Sequence, residues 1–269
     1  MAAPDRATDR VVGLEAGFAG RVRDCFGRGA AGYEQAAGLQ TAVAARLGRL
    51  SRAIATALPP GPRADLGAGS GLLSRALAAN LGGPALLRVD QCPDLLAQEQ
   101  RHDPKIGAQQ LLWDLNSGLP RQLQGAALLA SSFALQWLEQ PEQQLSAWCR
   151  QLAQGGWLVL AVPTAASFGI WRAAARAGGV PFSGLELPDA SGLERVVRRE
   201  LQVQRLDRLR FSRANHGALA FLRRFRAIGA QASRQRRLSA AELRQLIAHW
   251  PPADQPLVWE VLLVIGQRP

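Results

Sequence analysis

Lysine is almost absent from this 269-residue chain: Lys105 stands alone, so a formal net charge of +11 rests on arginine. Taken by itself, that charge suggests an acidic partner such as nucleic acid, a membrane surface or an acidic protein. Arginine used throughout in place of lysine also fits a bland origin in genome composition, with a solvated basic face as its structural result. Cysteine is sparse as well. Cys25, Cys92 and Cys149 are far apart, odd in number and without a C-x-x-C pair, which speaks against a disulfide framework and against a zinc site. No apolar run reaches the ~18 residues that cross a bilayer, and Met1-Ala-Ala-Pro-Asp-Arg6 has no signal-peptide core. A soluble, cytoplasmic protein without a membrane partner is expected. Histidine is limited to His102, His216 and His249, which read as core or surface residues.

What is present is an apolar, glycine-punctuated chain, 48% hydrophobic, long enough for one large α/β domain with an inserted cap. Its organising stretch is Arg63-Ala-Asp65-Leu-Gly67-Ala-Gly69-Ser-Gly71, which follows the Pro59–Pro62 break and precedes the helical run from Leu72. Glycines at 67, 69 and 71 allow a tight strand-to-helix turn close to a ligand, and the new helix offers free N–H groups. The spacing G-x-G-x-G is neither the dinucleotide G-x-G-x-x-G nor a P-loop. Asp65, two residues before the first glycine, suits a ligand that brings positive charge, as S-adenosylmethionine (SAM) does with its ammonium and sulfonium.

Two further strands end in acids. Ala85 to Asp90 puts Asp90 where a ribose diol needs a bidentate acceptor, and Gly107 to Leu115 puts Asp114 where an adenine amino group would be met, with Leu115 against the ring. In a doubly wound sheet the three acids converge on one crevice beyond the strand ends. A fourth strand, Gly125 to Ser132, ends in Ser131 and Ser132 and lacks the D/N-P-P-Y box of amino methylation; Ser131 joins the candidate cofactor ligands. A helix over Pro141–Gln154, a fifth strand over Gly155–Val162, a strand over Leu201–Phe211 and a last strand over Leu257–Gly266 complete the pattern. The expectation is an α/β, mostly parallel seven-stranded sheet whose last strand inserts antiparallel beside the fifth. Residues 1–58 would form an N-terminal helical lid segment, and 59–269 the main domain, with a substrate cap over about 163–200. Phe26-Gly-Arg28-Gly-Ala-Ala-Gly-Tyr33, holding the only tyrosine, would be the mobile part of that lid.

The Asp65–Gly71 stretch resembles the first motif of the Rossmann-like, class I SAM-dependent methyltransferases. A narrower resemblance runs over roughly 18–267. Phe26–Glu34, Ser132-Phe-Ala-Leu-Gln136-Trp137, Leu222 to Ala230 with Ile228-Gly229, Leu238-Ser-x-x-x-Leu243 and Pro256-Leu-Val-Trp259-Glu-Val261 look like the ordered motifs of the BioC-type malonyl-[acyl-carrier-protein] O-methyltransferases of biotin synthesis. The first motif departs from that family at Leu66 and Ala68, Trp259 stands where tyrosine is usual, and the Gly178–Pro188 loop matches poorly.

The resemblance implies that SAM methylates the free carboxylate of a malonyl thioester, on acyl carrier protein or on CoA. A carboxylate is already ionised at neutral pH, so positioning and desolvation suffice without a general base. Tyr33 is the expected closing residue, and Arg172, then Arg28, the expected clamps on the carboxylate. Carrier proteins are acidic, so Arg223, Arg224 and Arg226 are expected at the docking face. The alternatives are methylation of another small acid or a quinone precursor, and an RNA-binding methyltransferase. Against RNA, aromatics are not interleaved with the arginines.

Overall fold

The computed structural model describes residues 17–102 and 109–269. Helix α1 (Phe18–Gly29), a single helical turn and the short α2 (Tyr33–Ala36) lead into α3 (Gly38–Ser51). The alternating half follows as β1 (Arg63–Leu66), α4 (Leu72–Leu81), β2 (Leu87–Asp90), α5 (Pro93–His102), β3 (Gln110–Leu112), β4 (Ala126–Ser132), α6 (Pro141–Gln151) and β5 (Leu152–Pro163). The chain ends with α7 (Gly169–Ala177), α8 (Ala190–Glu200), β6 (Gln202–Arg213), α9 (Ala218–Ala227), α10 (Ala240–Ala248) and β7 (Leu257–Gln267).

The seven strands form one sheet in the order β3-β2-β1-β4-β5-β7-β6. The first five run parallel, and β7 is antiparallel to both β5 and β6. The reason lies in strands apolar on both sides, which must be covered on both faces. In β5 and β7 the alternation divides cleanly. Leu158, Leu160, Leu262 and Val264 join Leu145, Trp148 and Val197 of α6 and α8 on one face. Trp157, Val159, Leu263 and Ile265 join Val43, Leu47 and Leu77 of α3 and α4 on the other.

Several expected boundaries shift. The fifth strand begins at Leu152, not Gly155, because Leu152 pairs with Ala126 across a register irregularity before the main ladder at Leu128–Trp157. The third strand is only Gln110–Leu112, so Asp114 lies just beyond it, and Gly107 and Ala108 of the expected strand fall outside the described residues. α8, assigned to the cap by its sequence position, packs on α6 in the core of the sheet instead. α3, assigned to the lid, covers the opposite face.

The layer over the strand ends is α7, α9 and α10, joined by an aromatic cluster around Phe168, Trp171, Phe221 and Phe225. Ring centroids within it lie 4.8–6.2 Å apart. One glycine fixes how the N-terminal helix meets this layer. Gly229 has φ +73°, and a Cβ there would sit 2.7 Å from the Phe26 Cα. Any side chain at 229 would push α1 off the turn after α9.

Candidate active site

Asp65, Asp90 and Asp114 line one cleft at the carboxyl ends of the parallel strands, together with Gly67 and Gly69. The turn keeps its shape through Asp90, whose Oδ2 accepts from the Gly69 N–H and Oδ1 from the Cys92 N–H, both at 2.8 Å. Burial still raises the Asp90 pKa above the ordinary carboxylate value, although these N–H groups act in the opposite direction. Asp65 is 1% exposed; its Oδ2 accepts from Ser74 Oγ at 2.7 Å while its Oδ1 has no partner. Burial, reinforced by the Glu99 carboxylate and opposed by Ser74, moves its pKa up to about 7. Asp114 Oδ1 is used locally, accepting from the Asn116 backbone and side chain at 2.9 Å each. Leu115 lines the same cleft.

Gly71 does not line the cleft. It turns the chain into α4 at φ +81°, and a Cβ there would meet Glu99 Oε1 at 2.0 Å. Glu99 is in turn held by Arg88 in a buried 2.7 Å ion pair beneath the turn. Ser131 is a correction to the expected ligand set. It is fully buried and donates to the Leu66 carbonyl at 2.7 Å, tying β4 to β1, whereas its neighbour Ser132 faces the cleft.

A second, larger cavity of about 610 Å³ opens beside the cleft, and the two share the wall made by Phe26, Tyr33, Gln40, Phe133 and Trp137. Phe26 meets Tyr33 edge-on at 6.2 Å and Trp137 at 5.4 Å. Burial, then the Asp90 and Glu34 carboxylates, keep the Tyr33 phenol protonated well above its ordinary pKa of 10.0. The segment around Tyr33 is anchored to the glycine turn through Arg75, which binds Glu34 and the Ser70 carbonyl, each at 2.6 Å.

Neither expected carboxylate clamp lines this cavity. Arg172 points to the Gly178–Pro188 loop: it donates to the Ser167 carbonyl, stacks 4.6 Å from the Phe182 ring centroid and lies 3.7 Å from Glu186. Arg28 is exposed, with its guanidinium 3.3 Å from Cys25 Sγ. The arginines that do line the cavity are Arg213, at the end of β6, and Arg224, on α9. Arg224 was expected only at a docking face, and Arg213 was missed, because nothing local in either sequence marks the cavity side. Gln40, Cys92, Phe133 and Trp137 were likewise missed as wall residues. Cys92 is buried, and burial moves its thiol pKa up to about 11. Among the described residues no group of three His, Cys, Asp or Glu side chains is placed to hold a metal, and no helix is long and apolar enough to cross a membrane.

Residues 64–160 match a family model described as a methyltransferase domain. The chain is 30% identical over 234 residues to the malonyl-[acyl-carrier protein] O-methyltransferase of Magnetococcus marinus, covering 85% of this chain and 84% of the relative. It is 30% identical over 211 residues to the protein of the same name from Methylococcus capsulatus, with 77% and 74% covered. A biotin biosynthesis bifunctional protein, BioCD, of Bordetella avium is 34% identical over 201 residues, 73% of this chain but only 42% of that longer protein. Among solved structures, a methyltransferase-fold protein of Bacillus halodurans superposes with a TM-score of 0.56 at 14% identity, covering 82% of this chain and 98% of its own. That likeness is one of fold, a mostly parallel α/β sheet, here with β7 antiparallel. By its curated relatives, the chain belongs to the malonyl-[acyl-carrier protein] O-methyltransferase family.

Proposed function

We propose that this protein methylates the free carboxylate of a malonyl thioester, carried on acyl carrier protein, from SAM, in an early step of biotin synthesis. The observation that carries the proposal is the shared wall: an acidic cleft suited to a cationic cofactor meets an apolar cavity at Tyr33, Phe133 and Trp137. The cleft fits SAM, since the buried and unpartnered Asp65 Oδ1 needs a donor that an ammonium group supplies. Asp90 would take the ribose hydroxyls, and Asp114 with Leu115 the adenine. SAM supplies an electrophilic methyl on a sulfonium.

The chain's own residues do the rest by placement. The ring of Tyr33 and its neighbours Phe26 and Trp137 separate the reacting carboxylate from water, and loss of hydration strengthens its attraction to positive charge. Tyr33, held neutral, can donate a hydrogen bond but is not a base. Nor is one needed, because the substrate carboxylate is already ionised. His216 borders the large cavity, His249 is exposed with Nδ1 2.9 Å from the Gln245 carbonyl, and the His102 side chain falls outside the described residues.

Radiolabelled SAM incubated with malonyl-acyl carrier protein, malonyl-CoA, a free dicarboxylic acid, a quinone precursor and bulk tRNA tests the reading. Transfer to the malonyl thioesters alone is expected. Transfer to tRNA, or only to a free acid or a quinone, would overturn it. The apolar lining favours an acyl thioester over a nucleic-acid base.

A further inference from the structure

The large cavity has an unbalanced electrostatic lining. Its walls are mostly aliphatic and aromatic; among the described residues no carboxylate lines it, and the two formal charges are the guanidinium groups of Arg213 and Arg224. Neither guanidinium has a hydrogen-bonded or ion-paired partner among the described residues. Arg224 is half-buried on α9, while Arg213 is exposed at the end of β6. Burial lowers the Arg224 pKa and the nearby positive charge of Arg213 lowers it further. Two cations near each other in a partly dry wall cost free energy unless an anion joins them.

The arrangement also has a direction. Tyr33, Phe133 and Trp137 mark the end shared with the cofactor cleft, whereas Arg213 and His216 are exposed and mark an outer end. The wall also carries Gln136, 4% exposed, whose Oε1 has no partner and whose Nε2 donates to the Phe133 carbonyl at 2.7 Å. An unmet acceptor in such a wall suits a ligand with an amide N–H.

Building on the function proposed above, we infer that Arg213 and Arg224 form an oxyanion subsite of the substrate cavity, for a ligand with an apolar, amide-bearing body. In a carrier-bound thioester two groups have that chemistry, the acyl carboxylate and the phosphodiester of the pantetheine arm. Guanidinium groups serve both through paired, charge-assisted hydrogen bonds.

Tryptophan fluorescence reads binding, because Trp137, Trp171 and Trp259 line the cavity. Wild type, Arg224→Gln, Arg213→Gln and, as a charge control, Arg198→Gln at an exposed position of α8 are titrated in the presence of S-adenosylhomocysteine. The ligands are 4′-phosphopantetheine, pantetheine, and the malonyl thioester of N-acetylcysteamine, which has the carboxylate without the phosphate. Loss of one charge-assisted contact should weaken the relevant anion by about 10-fold or more in Arg224→Gln, less in Arg213→Gln, and not in Arg198→Gln. Weakening confined to phosphopantetheine assigns the phosphodiester, and weakening confined to the malonyl ligand assigns the carboxylate. Unchanged affinity for both in a folded Arg224→Gln protein overturns the subsite. Should that variant fail to fold, unchanged affinities in Arg213→Gln overturn it equally. Turnover of malonyl thioesters with no dependence on either arginine would sink the subsite and leave the function standing. Arginine-dependent anion binding with no turnover of any malonyl thioester by wild type would do the reverse.

Discussion

Phe133 and Phe168 are the two described non-glycine residues with positive φ, at +56° and +61°, and both line the same cavity. They follow adjacent parallel strands, β4 and β5, so the sheet ends in two strained corners whose rings face the substrate side. Left-handed backbone at a bulky residue costs on the order of 1–3 kcal/mol and persists where the surroundings over-determine it. Phe133→Gly should relieve about 1 kcal/mol of strain while losing about 1–2 kcal/mol of ring burial. Calorimetry should therefore find nearly unchanged stability, and kinetics a clear fall in kcat/KM. A large loss of stability with unchanged kinetics would make Phe133 a packing residue only.

Tyr33→Ala should lower turnover far more than SAM affinity, because an open junction leaves the carboxylate hydrated and poorly aligned. Tyr33→Phe separates ring from hydroxyl: retained activity assigns the effect to water exclusion. Single-turnover rates beside calorimetric SAM titrations decide it, and equal rates in wild type and the alanine variant would remove Tyr33 from the site.

With Asp65 holding the SAM ammonium as proposed, cofactor binding should depend on pH. The folded pKa of Asp65 is raised from 3.8 to about 7 in the absence of ligand, so below pH 7 the carboxyl is increasingly neutral and less able to hold an ammonium. SAM affinity should fall as pH drops through 7, by up to about 10-fold per unit, since a one-unit shift is about 1.4 kcal/mol. Asp65→Asn should bind SAM more weakly at pH 8 and show a flat profile. Stability of the ligand-free protein runs the other way. The folded chain holds this proton more tightly, so the stabilisation is complete below the unfolded pKa and is lost as pH rises through the folded one. Asp65→Asn should thus raise Tm at pH 8 and leave it unchanged near pH 3; an equal shift at both values would refute a titrating Asp65.

Gly229→Ala places a Cβ 2.7 Å from Phe26 Cα at φ +73°, whereas Gly82→Ala has φ +60° with nothing within 4 Å. Gly82, at ψ −171°, is in a region open essentially to glycine alone, so Gly82→Ala carries backbone strain without a collision, whereas Gly229→Ala adds a backbone collision to its positive φ. A thermal melt should fall for both variants, and only Gly229→Ala should also weaken SAM binding, as α1 is displaced. Unchanged SAM binding in Gly229→Ala would mean the contact is easily relieved.

Arg223 and Arg226 are both exposed on α9. Reversing the two to Glu should raise KM for malonyl-acyl carrier protein and reduce its salt dependence, because rim charges act mainly through association. Activity on malonyl-CoA should be retained. Parallel losses on both substrates would remove these arginines from a docking role.

The sheet was legible because its strands are apolar runs closed by glycine, proline or an acid, and the three acids at strand ends fall into one cleft. Side-chain direction was less so. Ser131 and Ser132 are adjacent letters, yet strand alternation sends one to the Leu66 carbonyl and the other to the cleft. Arg172 lies on the expected helix but on the face toward Phe182, and no local pattern gives that rotation. Arg213 and Arg224 come from β6 and α9, and only the tertiary packing of α9 over the strand ends brings both to one cavity.

Cys92 lines the cofactor cleft with its thiol pKa held up to about 11. Near neutral pH such a sulfur is overwhelmingly protonated, whereas the thiolate is the form that acts as a nucleophile. On the proposed function, SAM would bring an activated methyl group into the cleft that this soft sulfur also lines. On that reading, the burial that keeps the sulfur protonated would also keep it from competing with the substrate's ionised oxygen.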